Sequence, residues 1–206
     1  MIIEGLVPDP RRRASIRIQV AGRPVWTVPA DVVAELGLVV GGAIPVPAQA
    51  RLDRAADEEG AFRAAMRALE RRAHGERELG LKLERKGHTP AAVAAALRRL
   101  LALGLLDDVA FVRQYAHARA AKGRGPVRLR HDLAALGIAR EVIQNALAEL
   151  STSGENPLER ARALAQRRLK SLAELPRETR RRRLMAFLAR RGYRAEARQI
   201  LDQLTP

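Results

Sequence analysis

Three glycines constrain this chain more than any other feature. With Gly87, Gly137 and Gly192 in register, a leucine stands four residues earlier each time (Leu83, Leu133, Leu188) and another eight residues earlier (Leu79, Leu129, Leu184). Leucines at that spacing share one helical face, and a glycine just past them is the residue that most readily takes the left-handed C-terminal cap. A bulky residue follows each glycine, His88, Ile138 and Tyr193, placed to fold back on the last turn. A new helix then begins, with Val93 and Leu97 in the first copy, Val142 and Leu147 in the second, and Ile200 and Leu201 in a looser third. The glycines lie 50 and 55 residues apart. A recurrence of that length predicts stacked helical units, each unable to bury its apolar stripe alone.

The central copy is the most complete. Asp107 and Asp108 precede a helical pattern (Val109, Phe111, Val112, Tyr115, Ala116, Arg119), so one of them is expected to cap its exposed amides. A metal-binding carboxylate pair is the weaker reading of the same two residues. The segment from Lys122 to Pro126, KGRGP, cannot continue the helix, because it holds Gly123, Gly125 and Pro126; it places the cations Lys122 and Arg124 in a turn. A second helix carries Leu129, Leu133 and Leu136 and ends at Gly137.

Upstream, residues 1–13 read as a loosely attached tail with a solvated triplet, Arg11, Arg12 and Arg13. From Ser15 the chain alternates: Ile16, Ile18 and Val20 point one way, Arg17 and Gln19 the other. A turn at Ala21 to Pro24 and a return over Val25 to Val28 predict a β-hairpin. Two strands are marginal alone, so the hairpin should pack on a short helix (Val32, Val33, Leu36, ended by Gly37) and on helices beyond it. Trp26, the only tryptophan, is either apolar cover for the hairpin or a recognition residue; packing is the better supported reading. Pro47 opens a further helix that Gly60 is expected to end. His74 and Gly75 interrupt the first unit, whose next helix runs from Glu76 to Lys86. Thr89 and Pro90 start another. Downstream, residues 151–155 (STSGE) form the clearest linker, Asn156 and Pro157 restart a helix, and Pro176 opens the last long one. The expected division is an N-terminal extension over 1–60 and helical repeats over 61–106, 107–153 and 154–206.

Charge is distributed unevenly over these parts. The whole chain carries +15, yet residues 1–60 hold 7 basic and 8 acidic side chains, leaving 31 basic and 15 acidic in residues 61–206. Residues 61–106 are +6, residues 107–156 are +1 and residues 157–206 are +9. An arginine-rich composition accounts for Arg outnumbering Lys, 34 to 4, but not for this asymmetry. A polyanionic or acidic partner for the helical part follows. The densest run, Arg180, Arg181, Arg182 and Arg183, covers all sides of a helical turn and reads as a cationic ridge, with mere solvation as the alternative; Arg190, Arg191 and Arg194 extend it around the third glycine.

Catalytic chemistry has no foothold. The histidines, His74, His88, His117 and His131, lack metal-ligand spacing, no glycine-rich phosphate loop follows a strand, and no serine sits in a nucleophile elbow. No enzyme, cofactor or metal is expected. With no cysteine and no signal-like or membrane-spanning stretch, the expectation is a cytoplasmic protein. Aromatic residues are few, Trp26, Phe62, Phe111, Tyr115, Phe187 and Tyr193, most of them on apolar stripes. A single-strand binder would offer stacking rings along a basic groove, and no one helix concentrates polar side chains for reading base edges. The cations are therefore expected to meet phosphates or acidic protein surface.

The order ERELGLKLERKGH, then GLLDD with Phe111 three residues on, then KGRGP, then LRHDLAALGI resembles the RecX family, bacterial regulators of the RecA recombinase. The likeness spans about residues 61–204. In this sequence the family pattern falls on Leu79, Leu83, Gly87, Asp107, Asp108, Phe111, Gly123, Gly125, Pro126, Leu133, Gly137, Ile138, Gly192 and Tyr193. Two departures stand out: His74 and Gly75 replace the usual Arg-Ser pair, and the linker before Pro157 is short and polar. The resemblance implies a mainly α fold of tandem three-helix repeats in an elongated, curved array, with the N-terminal hairpin as an extension. It also implies a monomeric, non-enzymatic inhibitor that lies in the groove of the RecA filament on single-stranded DNA and dampens ATP turnover, strand exchange and co-protease action. The residues expected to form its basic surface are Arg71, Arg72, Lys82, Arg85, Lys86, Lys122, Arg124, Arg128, Arg130, Arg180, Arg181, Arg182, Arg183, Arg190, Arg191 and Arg194. Single- or double-stranded DNA, read with weak sequence preference, is a further expected partner. The alternative is a direct nucleic-acid binder that competes with RecA for DNA.

Overall fold

The alternating apolar residues of the N-terminal region form one face of a sheet, as a computed structural model of residues 1–10, 12–152 and 156–204 describes. The sheet has three strands, not two: β1 (Gly5–Asp9), β2 (Arg12–Val20) and β3 (Arg23–Pro29), antiparallel in that order. Ile18, Val20, Trp26 and Val28 are buried on its inner face. The expected turn contracts to two residues, Ala21 and Gly22, both at positive φ, which matches the twist of the paired strands. Residues 1–10 are not a tail. Ile3 is buried, its amide donates to the Gly42 carbonyl at 3.0 Å, and β1 pairs along β2. The sequence concealed this strand because GLVPD neither alternates nor favours a strand; Pro8 is tolerated at the edge, where no ladder donor is needed. Arg11 and linker residues 153–155 lie outside the described residues, as do the side chains of Arg12 and Arg13. Trp26 is packing, with its indole N–H donating to Asp53 Oδ1 at 2.6 Å.

After α1 (Ala30–Glu35) comes α2 (Val46–Leu69), a continuous helix of 24 residues. Gly60 does not end it. Its first half buries Ala48, Leu52 and Ala55 in the sheet's core, and its second half buries Ala61, Ala64, Ala65 and Ala68 in the next. Packing on both halves outweighs the weak helix propensity of one glycine, about 1 kcal/mol. The glycine makes room instead, since a Cβ there would sit 3.3 Å from His88 Cε1. His88 is not the apolar fold-back residue expected of it. Its Nδ1 lies 2.7 Å from Asp57, whose other oxygen accepts from the Thr89 amide at 3.0 Å and hydroxyl at 2.6 Å. Those bonds hold the Asp57 carboxyl below its usual range even though burial pushes the other way.

The remaining helices are α3 (Glu76–Glu84), α4 (Pro90–Ala102), α5 (Asp108–Ala121), α6 (Pro126–Ala135), α7 (Arg140–Thr152), α8 (Pro157–Lys170), α9 (Arg177–Arg191) and α10 (Arg194–Leu204). Thr89 and Asp107 cap their helices through the side chain, as the sequence led us to expect, and Asn156 caps the helix it restarts. Three separate cores follow the sheet's own: one around Leu79, Leu83, Val93 and Leu100, one around Phe111, Leu129, Leu133 and Ile138, and one around Leu184, Leu188, Tyr193 and Ile200. The protein is thus mainly helical, built of tandem three-helix repeats with a small N-terminal sheet. The chain divides into two units, residues 1–74 with 78–106 and residues 75–77 with 107–206. No helix among the described residues is long and apolar enough to cross a membrane.

The glycine register survives as hydrogen bonding. Gly87, Gly137 and Gly192 have φ of +90°, +82° and +91°. The following amide reaches back each time to the leucine four before the glycine: His88 to Leu83 at 3.3 Å, Ile138 to Leu133 at 3.3 Å, and Tyr193 to Leu188 at 3.0 Å. This is the Schellman closure, which satisfies carbonyls the helix end leaves open.

Candidate functional site

The KGRGP segment is glycine-rich because another backbone lies against it. A Cβ on Gly125 would stand 2.6 Å from the Gly192 carbonyl, and one on Gly123 would stand 2.7 Å from the Arg191 guanidinium. The Gly125 amide donates to the Arg191 carbonyl at 2.7 Å, Val127 donates to the Gly192 carbonyl at 3.3 Å, and Arg191 Nη1 donates to the Lys122 carbonyl at 3.3 Å. The turn between α5 and α6 is therefore seated on the cap of α9, within one unit.

That seating gathers charge. A cavity of about 820 Å³ is bordered by Arg119, Lys122, Arg124, Arg128, Arg190 and Arg191. Five of the six were expected in the basic surface; Arg119 was not. His131 and exposed Val127 also border it. Among the described residues the one carboxylate ion-paired to these cations is Asp132, which bonds Arg124 and meets Arg128 at 3.0 Å. Arg119 lies over the Tyr115 ring at 5.1 Å and Arg191 over Phe187 at 4.8 Å. Lys122 and Arg190 are exposed. The cavity sits where α5 and α9 end, and carbonyl-rich helix ends ease the crowding of cations there.

The other expected basic residues divide into surface and scaffold. Arg182, Arg183 and Arg194 are exposed. Arg181 is not free surface charge, for it pairs with Asp202 at 2.6 Å, and Arg180 is half-buried with its Nε shielded. The four-arginine ridge is in this respect two exposed arginines beside one that is paired and one that is half-buried. Arg130 borders a separate cavity of about 500 Å³ with Arg140 and Ile143. In the other unit, Arg71, Arg85 and Lys86 are exposed, whereas Arg72 pairs with Glu78, and Lys82 lies 3.3 Å from the Nε2 of buried His74. His74 Nδ1 is 3.0 Å from the same Glu78.

The remaining pattern residues lie in the cores or at helix starts. Leu79, Leu83, Phe111, Leu133, Ile138 and Tyr193 are all buried. Asp107 accepts from the amides of Val109 and Ala110 at 2.8 and 3.0 Å, and Asp108 accepts from Glu76 N at 2.8 Å, so it serves the start of α3 instead of its own helix.

Three family models match the chain: the first three-helix domain of RecX over residues 61–100, the second over 107–147 and the third over 155–197. A regulatory protein RecX from Halorhodospira halophila is 39% identical over 134 residues, 65% of this chain and 80% of that protein. The chain belongs to the RecX family. The regulatory protein RecX of Chlorobium phaeobacteroides is 34% identical over 152 residues, covering 72% of this chain and 95% of the relative. A crystal structure of regulatory protein RecX superposes with a TM-score of 0.76 at 21% identity, covering 98% of both chains; that of RecX from Lactobacillus salivarius gives 0.62 at 17%, covering 72% of this chain and 96% of that one. At these identities the likeness is one of fold, and in the first case its coverage includes the N-terminal sheet.

In this RecX-family chain, the sequence missed Arg119 and His131 as members of the cavity. Arg119 carries one local signal, its place four residues after Tyr115 on the same helical face. Asp132 carries a local signal for one partner, Arg128, which stands four residues before it on α6, while Arg124 is brought to it by the turn.

Proposed function

We propose that the chain is a monomeric, non-enzymatic regulator that binds the RecA filament on single-stranded DNA and inhibits its ATP turnover, strand exchange and co-protease action in the cytoplasm. The observation that carries this reading is the basic cavity on a RecX-family scaffold: six cations from α5, the turn after it, α6 and α9 around one opening, with a single paired carboxylate among the described residues. A surface so charged is attracted to an acidic groove or to bound DNA, and repeated modules contacting several protomers would raise apparent affinity for the assembled filament. The basic surface of the proposal consists of the cavity's residues with exposed Arg71, Arg85, Lys86, Arg182, Arg183 and Arg194, on repeats taken as 61–106, 107–153 and 154–206.

A second reading, direct competition for DNA, draws on the same cavity, whose arginines and lysine suit phosphate. Tyr115 and Phe187 are covered by arginines, so bases would find no open ring, and binding would be weakly sequence dependent. Titration of the protein against bare single strands and against RecA-coated strands at one moderate salt concentration separates the two. The filament reading expects clear preference for the coated strands; equal affinity for both discards it in favour of DNA competition.

A further inference from the structure

Four of the six cations of this cavity are held before any partner arrives. Arg191 is tied to the Lys122 carbonyl at 3.3 Å and stacked on Phe187, Arg119 is stacked on Tyr115, and Arg124 and Arg128 brace on Asp132. A guanidinium carries five N–H donors, and each of these contacts engages only part of one, so donors remain for an anion at little further cost in side-chain freedom. The turn beneath them is pinned by the bonds from Gly125 to Arg191 and from Val127 to Gly192. The opening is concave, and six cations converge on about 820 Å³. An extended nucleic-acid strand spreads its phosphates along its length, so few can enter one such opening together. The neighbouring rings also deny it a base platform: Phe187 faces Arg191 at 4.8 Å and Arg168 at 5.7 Å, and Tyr115 faces Arg119. A compact chain of linked phosphates meets both conditions, with several negative charges close together and no base to stack.

We infer that this cavity is a receptor for a condensed phosphate chain, either the triphosphate tail of a nucleotide or a short inorganic polyphosphate. The chain's terminal and bridging oxygens accept from Arg119, Arg124, Arg128 and Arg191, and exposed Lys122 and Arg190 close over it. Its regulatory consequence rests on the function proposed above: a bound phosphate chain occupies the surface offered to the filament and lowers the protein's hold on it.

The test is calorimetric titration of the full chain with inorganic tripolyphosphate, ATP and orthophosphate at one ionic strength. Tripolyphosphate is expected to bind at a single site, at least about tenfold tighter than orthophosphate, because linked charges engage several cations together. ATP is expected to match tripolyphosphate, since nothing in the cavity holds the nucleoside. ATP binding far tighter than tripolyphosphate would mean that the nucleoside is read and would overturn the assignment to phosphate alone. Weak binding at many sites would overturn it as well.

The double variant Lys122→Ala/Arg190→Ala removes two exposed cations of the rim and is expected to weaken tripolyphosphate binding about tenfold. The charge-matched Arg177→Ala/Arg198→Ala, exposed on the third repeat outside the cavity, is expected to leave it unchanged. Equal loss in both variants would reduce the effect to net charge and sink the site. A last arm measures binding to RecA-coated strands with tripolyphosphate or a simple salt added at equal ionic strength. Displacement by tripolyphosphate beyond that of the salt supports the regulatory consequence, and equal displacement ends it. Failure to bind coated strands at all would overturn the proposed function while leaving the phosphate site standing.

Discussion

The amide of Gly125 donates a 2.7 Å hydrogen bond to the carbonyl of Arg191, joining the turn after α5 to the cap of α9. A side chain at Gly125 would force these backbones apart, because its Cβ would lie 2.6 Å from the Gly192 carbonyl. Gly125→Ala is expected to destabilise the protein by about 1–3 kcal/mol, the usual cost of overpacking against groups that cannot turn aside. The denaturation midpoint checks this, and an unaltered midpoint would mean that the two segments separate freely.

Gly137 and Gly87 share a backbone conformation but not a neighbourhood. A Cβ at Gly137 would occupy the place of the Arg77 side chain, whereas at Gly87 nothing lies within 4 Å. Gly137→Val should therefore cost several kcal/mol, combining left-handed strain with a clash, and Gly87→Ala only about 1 kcal/mol of backbone strain. Equal losses in thermal melts would remove Arg77 from the explanation.

Buried His74 sets a pH dependence. Burial, the largest influence, pushes the ring below its usual 6.5; the bond to and charge of Glu78 pull it back up, and Arg72 and Lys82 press it down. The unfolded chain thus takes the proton first as pH falls, so His74's contribution to stability is complete above about pH 6.5 and declines below it. Glu78 behaves differently. Burial would raise its carboxyl, but hydrogen bonds from Arg72 and His74 outweigh that and hold it below 4.5, so its share is lost only at lower pH. His74→Gln is expected to flatten the melting temperature between about pH 7 and 5 while leaving the acid limb in place. A variant with the parent's slope in that window would refute the assignment.

Under the function proposed above, Arg182→Ala/Arg183→Ala is expected to weaken inhibition of RecA ATP turnover severalfold with helical content unchanged, since both side chains are exposed on α9. Extending the change to Arg181 also removes the pair with Asp202 and should lower stability by no more than about 1 kcal/mol, the scale of an exposed ion pair. An inhibition curve identical to the parent's would mean that the ridge is only solvated.

What the sequence disclosed follows the range of the forces involved. Helix caps and the Leu79, Leu129 and Leu184 stripes were legible because a cap is settled by its immediate neighbours and a stripe by its period. Gly60 misled for the same reason: a stop signal read locally yielded to apolar packing on both sides of it. β1 was hidden because its pairing with β2, not its composition, makes it a strand. The cations of the candidate site were visible as charge, and Arg128 with Asp132 as a pair four apart on one helix, but the pairing of Arg124 with Asp132 and the arrival of Arg119 depend on how the turn after α5 is seated.

Helix α2 carries a final consequence. One rod supplies Leu52 and Ala55 to the sheet and Ala64 and Ala65 to the first repeat, with Asp57 fastened to the start of α4 on the way. The N-terminal region is therefore no detachable appendage. Clipping the chain at the glycine midway along this rod would halve a shaft that both ends grip, and sheet and repeat should melt as a single cooperative block.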